Sequence, residues 1–225
     1  MSSPIPVTLR LSGQNPLTRG SEKAVYLHPT DPNLIVKVRD FRRQGRSNPL
    51  LDRLLLRLSN RYQYHWLLRE VEASVLLLNR ENPPPCPLPV AIYRGLEMTD
   101  KGPAVLADRI CLPKHRLGIR LSRIAKKGSL KPRHVKALNV FVKRAMAWQV
   151  PMTDPNPANL VFGDRGRGPE VILVDGFGDY SLLRWRLRSS KVNDWINRKK
   201  FRMIAKQLSL DWDPVTLRFS LRKQD

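Results

Sequence analysis

Asp154 and Asn159 stand five residues apart in Met152-Thr-Asp-Pro-Asn-Pro-Ala-Asn159, and a second carboxylate, Asp175, opens Asp175-Gly-Phe-Gly178. Pro155 and Pro157 fix φ in the loop and hold the Asp154 and Asn159 side chains in one orientation. Between the loop and Asp175 lie two apolar runs, Leu160 to Phe162 and Val171 to Val174, joined by a Gly- and Arg-containing turn from Asp164 to Pro169. That pattern predicts a hairpin, which returns Asp175 toward Asp154 and Asn159. Two carboxylates and an amide oxygen converging at strand ends suit hard-oxygen coordination of Mg²⁺ and removal of a hydroxyl proton. An Asx-rich hairpin with no chemistry uses the same residue types, so the surrounding elements must decide.

The D-x4-N … D-x-x-G arrangement resembles the catalytic loop and metal-binding turn of the protein-kinase-like superfamily. Upstream, Val135, Leu138, Phe141, Val142, Ala145 and Met146 recur at helical spacing. This helix starts after Gly128-Ser129, with Ser129 or Lys131 near the cap and Pro132 in the first turn. It delivers the chain directly into the loop. A shorter helix is expected near Lys114 to Lys126.

The N-terminal half reads as strands. Val7 to Leu11 alternates apolar and polar residues, Leu17 to Tyr26 turns at Gly20 into a second strand, and Leu34 to Val38 is a β-branched run interrupted by Lys37. Pro89 to Gly95 and Ala104 to Ile110 follow, around the turn Met98 to Gly102. The expectation is a five-stranded antiparallel sheet with one helix, whose stripe is Tyr64, Leu67, Leu68, Val71, Val75 and Leu78 and whose acids are Glu70 and Glu72. A Lys inside an apolar strand needs a partner or a route to water; on an edge strand it simply faces solvent. Two basic stretches flank these elements. Arg42 to Arg57 ends in a short amphipathic helix from Leu50 to Leu58, which either packs on the sheet lobe or contacts an anionic surface. Arg184, Arg186, Arg188, Lys191, Arg198, Lys199, Lys200 and Arg202 give the tail a single-sign face, around a final helix from Val192 to Leu208.

At 225 residues, with 41% hydrophobic residues, the chain is long enough for a small and a large lobe. No apolar run approaches the ~20 residues that span a bilayer, and the N-terminus lacks a secretory pattern, so a cytoplasmic location is expected. Cys86 and Cys111 lack metal-ligand spacing and read as buried or free thiols. The net charge of +22 and pI near 10.9 favour polyanionic partners, although a solvated basic surface carries the same charge.

Over nearly its whole length the chain resembles the YrbL / PhoP-regulatory-network family, a small bacterial branch of the kinase-like superfamily. The residues that carry this are "LSGQNPLTRG…VYLHPTDPNLIVKV", "REV", "NPANLV" and "VDGFG". The resemblance implies an α+β, two-lobed kinase-like fold. Residues 1–110 form a small lobe with the sheet and a helix at about 60–80, and residues 111–225 form a reduced helical lobe with the catalytic-type loop 152–159 and metal turn 175–178. It also implies ATP and Mg²⁺. Lys37 would position the α/β-phosphates, held by Glu70 with Glu72 in reserve; Asn159 and Asp175 would hold Mg²⁺; Asp154 would be the general base. Gly20, Ser21 and Lys23 occupy the place of the phosphate-covering loop, although only one glycine of that motif is present. Arg109 to Pro113 corresponds to the interlobe hinge.

Departures from protein kinases are informative. Met152-Thr153 replaces the usual His-Arg, Asn156 replaces a Lys, and no A-P-E follows Gly178, so a peptide acceptor is not expected. The reading is a phosphotransferase acting on a hydroxyl of an anionic sugar, lipid headgroup or other small acceptor. A nucleotide- or partner-binding pseudokinase, and a basic protein that associates non-specifically with nucleic acid, stand as alternatives.

Overall fold

The β-branched run Leu34-Ile-Val-Lys-Val-Arg39 predicts a strand, and residues on both of its faces, Ile35 and Lys37 on one and Val36 and Val38 on the other, are buried. The computed structural model describes residues 9–20, 23–40, 65–179 and 185–222. The basic stretch at 42–57, with its expected helix, and Ser21 and Arg184 lie outside the described residues. The chain divides into two compact units, Met1–Leu68 with Ile92–Arg109, and Arg69–Ala91 with Ile110–Asp225.

The first unit is a five-stranded antiparallel sheet of β1 (Thr18–Arg19), β2 (Lys23–Leu27), β3 (Leu34–Arg39), β4 (Tyr93–Thr99) and β5 (Gly102–Asp108), ordered β1-β2-β3-β5-β4. Five strands were expected; one is a different strand and another has shifted bounds. Val7 to Leu11 contributes, among its described residues, only an isolated bridge from Leu9 to Thr99, and the short β1 takes the edge. Residues 89–91 are not part of β4, which runs on to Thr99 and leaves only Asp100 and Lys101 as the turn. The Asp100 carboxylate explains that turn's hold on the N-terminal segment: it accepts the Leu11 and Ser12 amides, each at 2.7 Å. Those bonds hold its pKa below the ordinary carboxylate value. One face of the sheet carries a core of Leu11, Ala24, Tyr26, Val36, Val38 and Ala104.

The second unit takes most of α1 (His65–Leu78) and the Pro-rich segment after it. The expected division at 110 put these residues with the sheet. Hydrogen bonds explain the difference: Arg80 Nη1 donates to Trp148 O at 3.0 Å, and Trp148 Nε1 donates to Cys86 O at 2.9 Å. Ala91 N donates to Leu173 O, and Leu173 N donates to Pro89 O, each at 2.9 Å. The buried face of α1 also differs from the apolar stripe. Glu70, Ala73, Ser74 and Leu77 are buried, whereas Leu68, Val75 and Leu78 are about half exposed.

After the short strand β6 (Cys111–Leu112), strands β7 (Arg116–Leu117) and β8 (Ile119–Arg120) occupy the start of the segment expected to be helical, which leaves α2 (Leu121–Lys126) as a single short helix. Gly118 between β7 and β8 allows the close approach: a Cβ there would lie 2.6 Å from Val161 and 2.9 Å from the Ile110 carbonyl. Helix α3 (Pro132–Ala147) buries Val135, Leu138, Phe141, Val142 and Ala145, the expected stripe; Met146 is half-buried. The hairpin of β9 (Leu160–Asp164) and β10 (Pro169–Leu173) pairs Leu160 with Leu173 and Asp164 with Pro169. Asp164 Oδ1 closes its turn by accepting the amides of Gly166, Arg167 and Gly168.

Helices α4 (Trp185–Arg188) and α5 (Ser190–Leu208) follow, the latter capped by Ser189. A C-terminal hairpin of β11 (Leu210–Asp213) and β12 (Arg218–Leu221) was not expected from the pattern. Asn139 of α3 secures it, donating to Phe219 O and accepting from Phe219 N. Cys86 and Cys111 are free thiols.

Candidate active site

In the second unit the loop and the metal-type turn are bound to one another through the backbone. Gly176 O accepts the amides of Thr153 (2.8 Å) and Asp154 (2.9 Å), and Gly178 N donates to Pro151 O at 2.8 Å. Thr153 Oγ1 donates to Gly178 O, and Met152 bridges Phe177. Gly176 has φ +76°, and a Cβ there would lie 2.5 Å from the Asp154 carbonyl oxygen. Glycine is therefore required at this position both by dihedral and by space.

The side chains are set by the same loop. Asn159 Nδ2 donates to Asp154 O at 2.8 Å and approaches Asp154 Oδ2 at 3.4 Å. Asn156 Nδ2 donates to Asp154 Oδ2 at 2.8 Å. Asn159 Oδ1 and Asp154 Oδ1 thus take no hydrogen bond among the described residues. Val174 N donates to Asn159 O at 2.9 Å, which ties the end of the hairpin to the loop and brings Asp175 alongside. Asp175 Oδ1 accepts from Gly176 N at 2.8 Å, and the Glu70 carboxylate accepts from the same amide at 3.4 Å. Glu70 is 1% exposed, while Glu72 is half-buried. Asp154, Asn159, Asp175 and Glu70 accordingly belong to one network in this unit.

Lys37 belongs to the first unit. It lies on the central strand, 3% exposed, so the solvent-facing reading does not hold. Its Nζ donates to Tyr93 Oη at 3.1 Å and lies 4.8 Å from the Tyr93 ring centroid. Gly20 N donates to Lys23 O at 2.7 Å in the connection between β1 and β2. Lys23 is half-buried on β2.

Pattern reading missed the support beneath the loop. Arg186 was counted in a basic outer face, yet it is 9% exposed. Its Nη1 donates to Met152 O (2.7 Å), Nε to Asn193 Oδ1 (3.1 Å) and Nη2 to Asn197 Oδ1 (2.6 Å). Asn193 and Asn197 in turn donate to Gln149 O and Val150 O. Burial pulls the Arg186 guanidinium down to about 10, against the opposing pull of Asp179. The available signal was Asn193 and Asn197 at i, i+4 on the buried face of α5. A second support is Glu170, 5% exposed, which pairs with Arg144 (2.6 Å) and Arg165 (2.9 Å).

The order of these parts is that of the protein-kinase-like superfamily: a buried Lys on the third strand of an antiparallel sheet, a helix with a buried Glu, a D-x4-N loop, and a hairpin ending in an acidic turn. The chain belongs to the family described as PhoP regulatory network protein YrbL, whose model matches residues 9–209. No curated protein matches it. Two solved structures similar to it are the PknI kinase domain of Mycobacterium tuberculosis and WbdD in complex with a kinase inhibitor. The first is 14% identical with a TM-score of 0.44, over 72% of this chain and 56% of that one. The second is 14% identical with a TM-score of 0.47, over 88% of this chain and 42% of that one. This chain therefore spans about half the length of those chains.

Proposed function

We propose that the protein is an ATP- and Mg²⁺-dependent phosphotransferase acting on a hydroxyl of a non-peptide, anionic acceptor. The observation that supports this is the arrangement around Asp154, where Asn156 and Asn159 occupy one carboxylate oxygen. The other oxygen is left to accept a proton, as a general base requires.

Asn159 Oδ1 and the Asp175 carboxylate are hard oxygen donors of the kind Mg²⁺ takes when phosphates complete its shell. Bound Mg²⁺ would neutralise charge on the phosphate oxygens. Lys37 would hold the α/β-phosphates, partnered by Glu70, with Glu72 in reserve. Gly20, Ser21 and Lys23 would meet the phosphates through backbone amides and charge. Asp154 would take the acceptor's hydroxyl proton as the phosphoryl group is transferred. A sugar or lipid-headgroup acceptor carrying its own negative charge suits the chain's net charge of +22.

The single glycine of the phosphate loop favours a second reading, a pseudokinase that binds nucleotide or a partner without turnover. Thermal unfolding with ATP, with and without Mg²⁺, separates the two when run beside Asp175→Ala and Asp154→Ala and followed by a phosphotransfer assay. ATP at about 100 times its dissociation constant should stabilise the wild type by about 2.7 kcal/mol. The shift should need Mg²⁺, vanish in Asp175→Ala and persist in Asp154→Ala, which should lose transfer. A Mg²⁺-independent shift with no turnover would favour the pseudokinase, and full activity in Asp154→Ala would remove its role as base.

A further inference from the structure

A separate cavity in the second unit, about 720 Å³ in volume, lies where β7, β8, α2 and the start of α3 meet the β9–β10 hairpin. Five cationic side chains line it, Arg116, Arg123, Lys127, Lys131 and Arg133, and no carboxylate does among the described residues. Its size is that of a small-molecule site. None of the five cations meets a carboxylate within ion-pair distance among the described residues, so their charges are not neutralised locally. The N-terminus of the 16-residue α3 adds the positive end of its dipole at Lys131 and Arg133.

His134 is the decisive group. It lines the same cavity and is 4% exposed, with its ring edge-on to Phe162 at 4.7 Å. The Lys131 amide reaches Nδ1 at 3.0 Å, and Arg133 Nε reaches Nε2 at 3.3 Å. A neutral imidazole carries one N–H and one acceptor, so it cannot accept at both nitrogens. Both the backbone amide and the guanidinium can only donate, so one of the two contacts is not a hydrogen bond; the shorter, 3.0 Å contact takes Nδ1 as the acceptor and places the ring proton on Nε2. Burial, then the charges of Arg133 and Lys131, hold His134 below its ordinary pKa and keep it neutral. The Nε2–H of His134 and the Nε–H of Arg133 therefore confront each other, and no acceptor lies between them among the described residues.

We propose that this cavity is a binding site for a small molecule carrying two or more phosphate groups. One phosphate oxygen accepts from both His134 Nε2 and Arg133 Nε, and the remaining charge lies among Arg116, Arg123, Lys127 and Lys131. The apolar Ile119, Ile124 and Phe162 complete the lining and offer contact to an uncharged part of the ligand. The site shares no residue with the Asp154 loop and does not depend on the phosphotransfer reading.

Calorimetric titration of the full chain with tripolyphosphate and with inorganic phosphate, in EDTA, tests this. Saturable one-to-one binding of tripolyphosphate is expected, with inorganic phosphate weaker. Arg133→Ala should lower the affinity by about tenfold, as for the loss of one charge-assisted hydrogen bond. Arg123→Ala, at an exposed position, should weaken it without threatening the fold. The control pair Arg202→Ala and Lys206→Ala removes equal charge from the exposed side of α5 and should leave the affinity unchanged. An absence of saturable binding, or an equal loss in the control pair, would overturn the proposal. Single-stranded RNA displacing tripolyphosphate, with the same sensitivity at the pocket and control positions, would overturn it in favour of a diffuse nucleic-acid surface.

Discussion

Gly176 shows how much of the site rests on single positions. Its carbonyl takes two amides from the loop, its amide is shared by Asp175 and Glu70, and its Cα faces the Asp154 carbonyl with no room for a Cβ. Gly176→Ala places a side chain at φ +76° and against that oxygen. The expected cost is about 1–3 kcal/mol from the dihedral alone. Urea unfolding should show the loss, and the Mg²⁺–ATP shift should weaken beyond it because the Asp154–Asp175 geometry opens. A variant as stable as the wild type would mean that the turn relaxes freely. The Asp–x4–Asn spacing could be read from the sequence; the use of Asn156 and Asn159 to occupy one oxygen of Asp154 could not, because both are ordinary loop residues until the loop closes.

At the scale of elements, the loop is held from below by α4 and α5. Arg186→Leu removes donors from the Met152 carbonyl and from Asn193 and Asn197, all in a buried setting. Leaving such groups unpaired should cost about 3–5 kcal/mol, measured by denaturant unfolding. Arg188→Ala, at an exposed position on the same short helix, should stay within about 0.5 kcal/mol of wild type. Equal effects would mean that the buried network does not carry the loop. Periodicity identified α3 because its stripe is wide and apolar. It misread α1, where the buried face holds Glu70 and Ser74 while leucines and valines face outward. A buried carboxylate that accepts backbone amides breaks the rule that apolar residues mark the inner face.

For the whole molecule, +22 net charge governs encounter with polyanions more than it governs fold. Among the described residues no helix is long and apolar enough to cross a membrane. Binding to nucleic acid by charge alone should fall steeply with salt, by about 10³-fold or more between about 50 and 200 mM if six or more phosphates are met. It should also show no sequence preference. Fluorescence anisotropy with unrelated oligonucleotides across salt checks this, and a salt-tolerant, sequence-selective complex would instead make nucleic acid a specific partner.

Local pattern carried the parts of this protein whose cause is local. The β-branched run around Lys37, the amphipathic α3, and the two apolar strands that return Asp175 follow from side-chain period and turn residues. The family resemblance rested on local stretches too, the opening through Val38, Arg69-Glu-Val71, and the loop and turn around Asn159 and Asp175. Tertiary structure decided what depends on distant partners. It moved residues 89–91 beside Leu173, added the C-terminal hairpin through Asn139, and drew Arg186 out of a supposed basic face into the floor of the loop. It also brought Arg116, Arg123 and Arg133 around one cavity from three different elements. Buried polar groups are satisfied by whichever chain segment packs against them, and that choice is made only when the whole chain has folded.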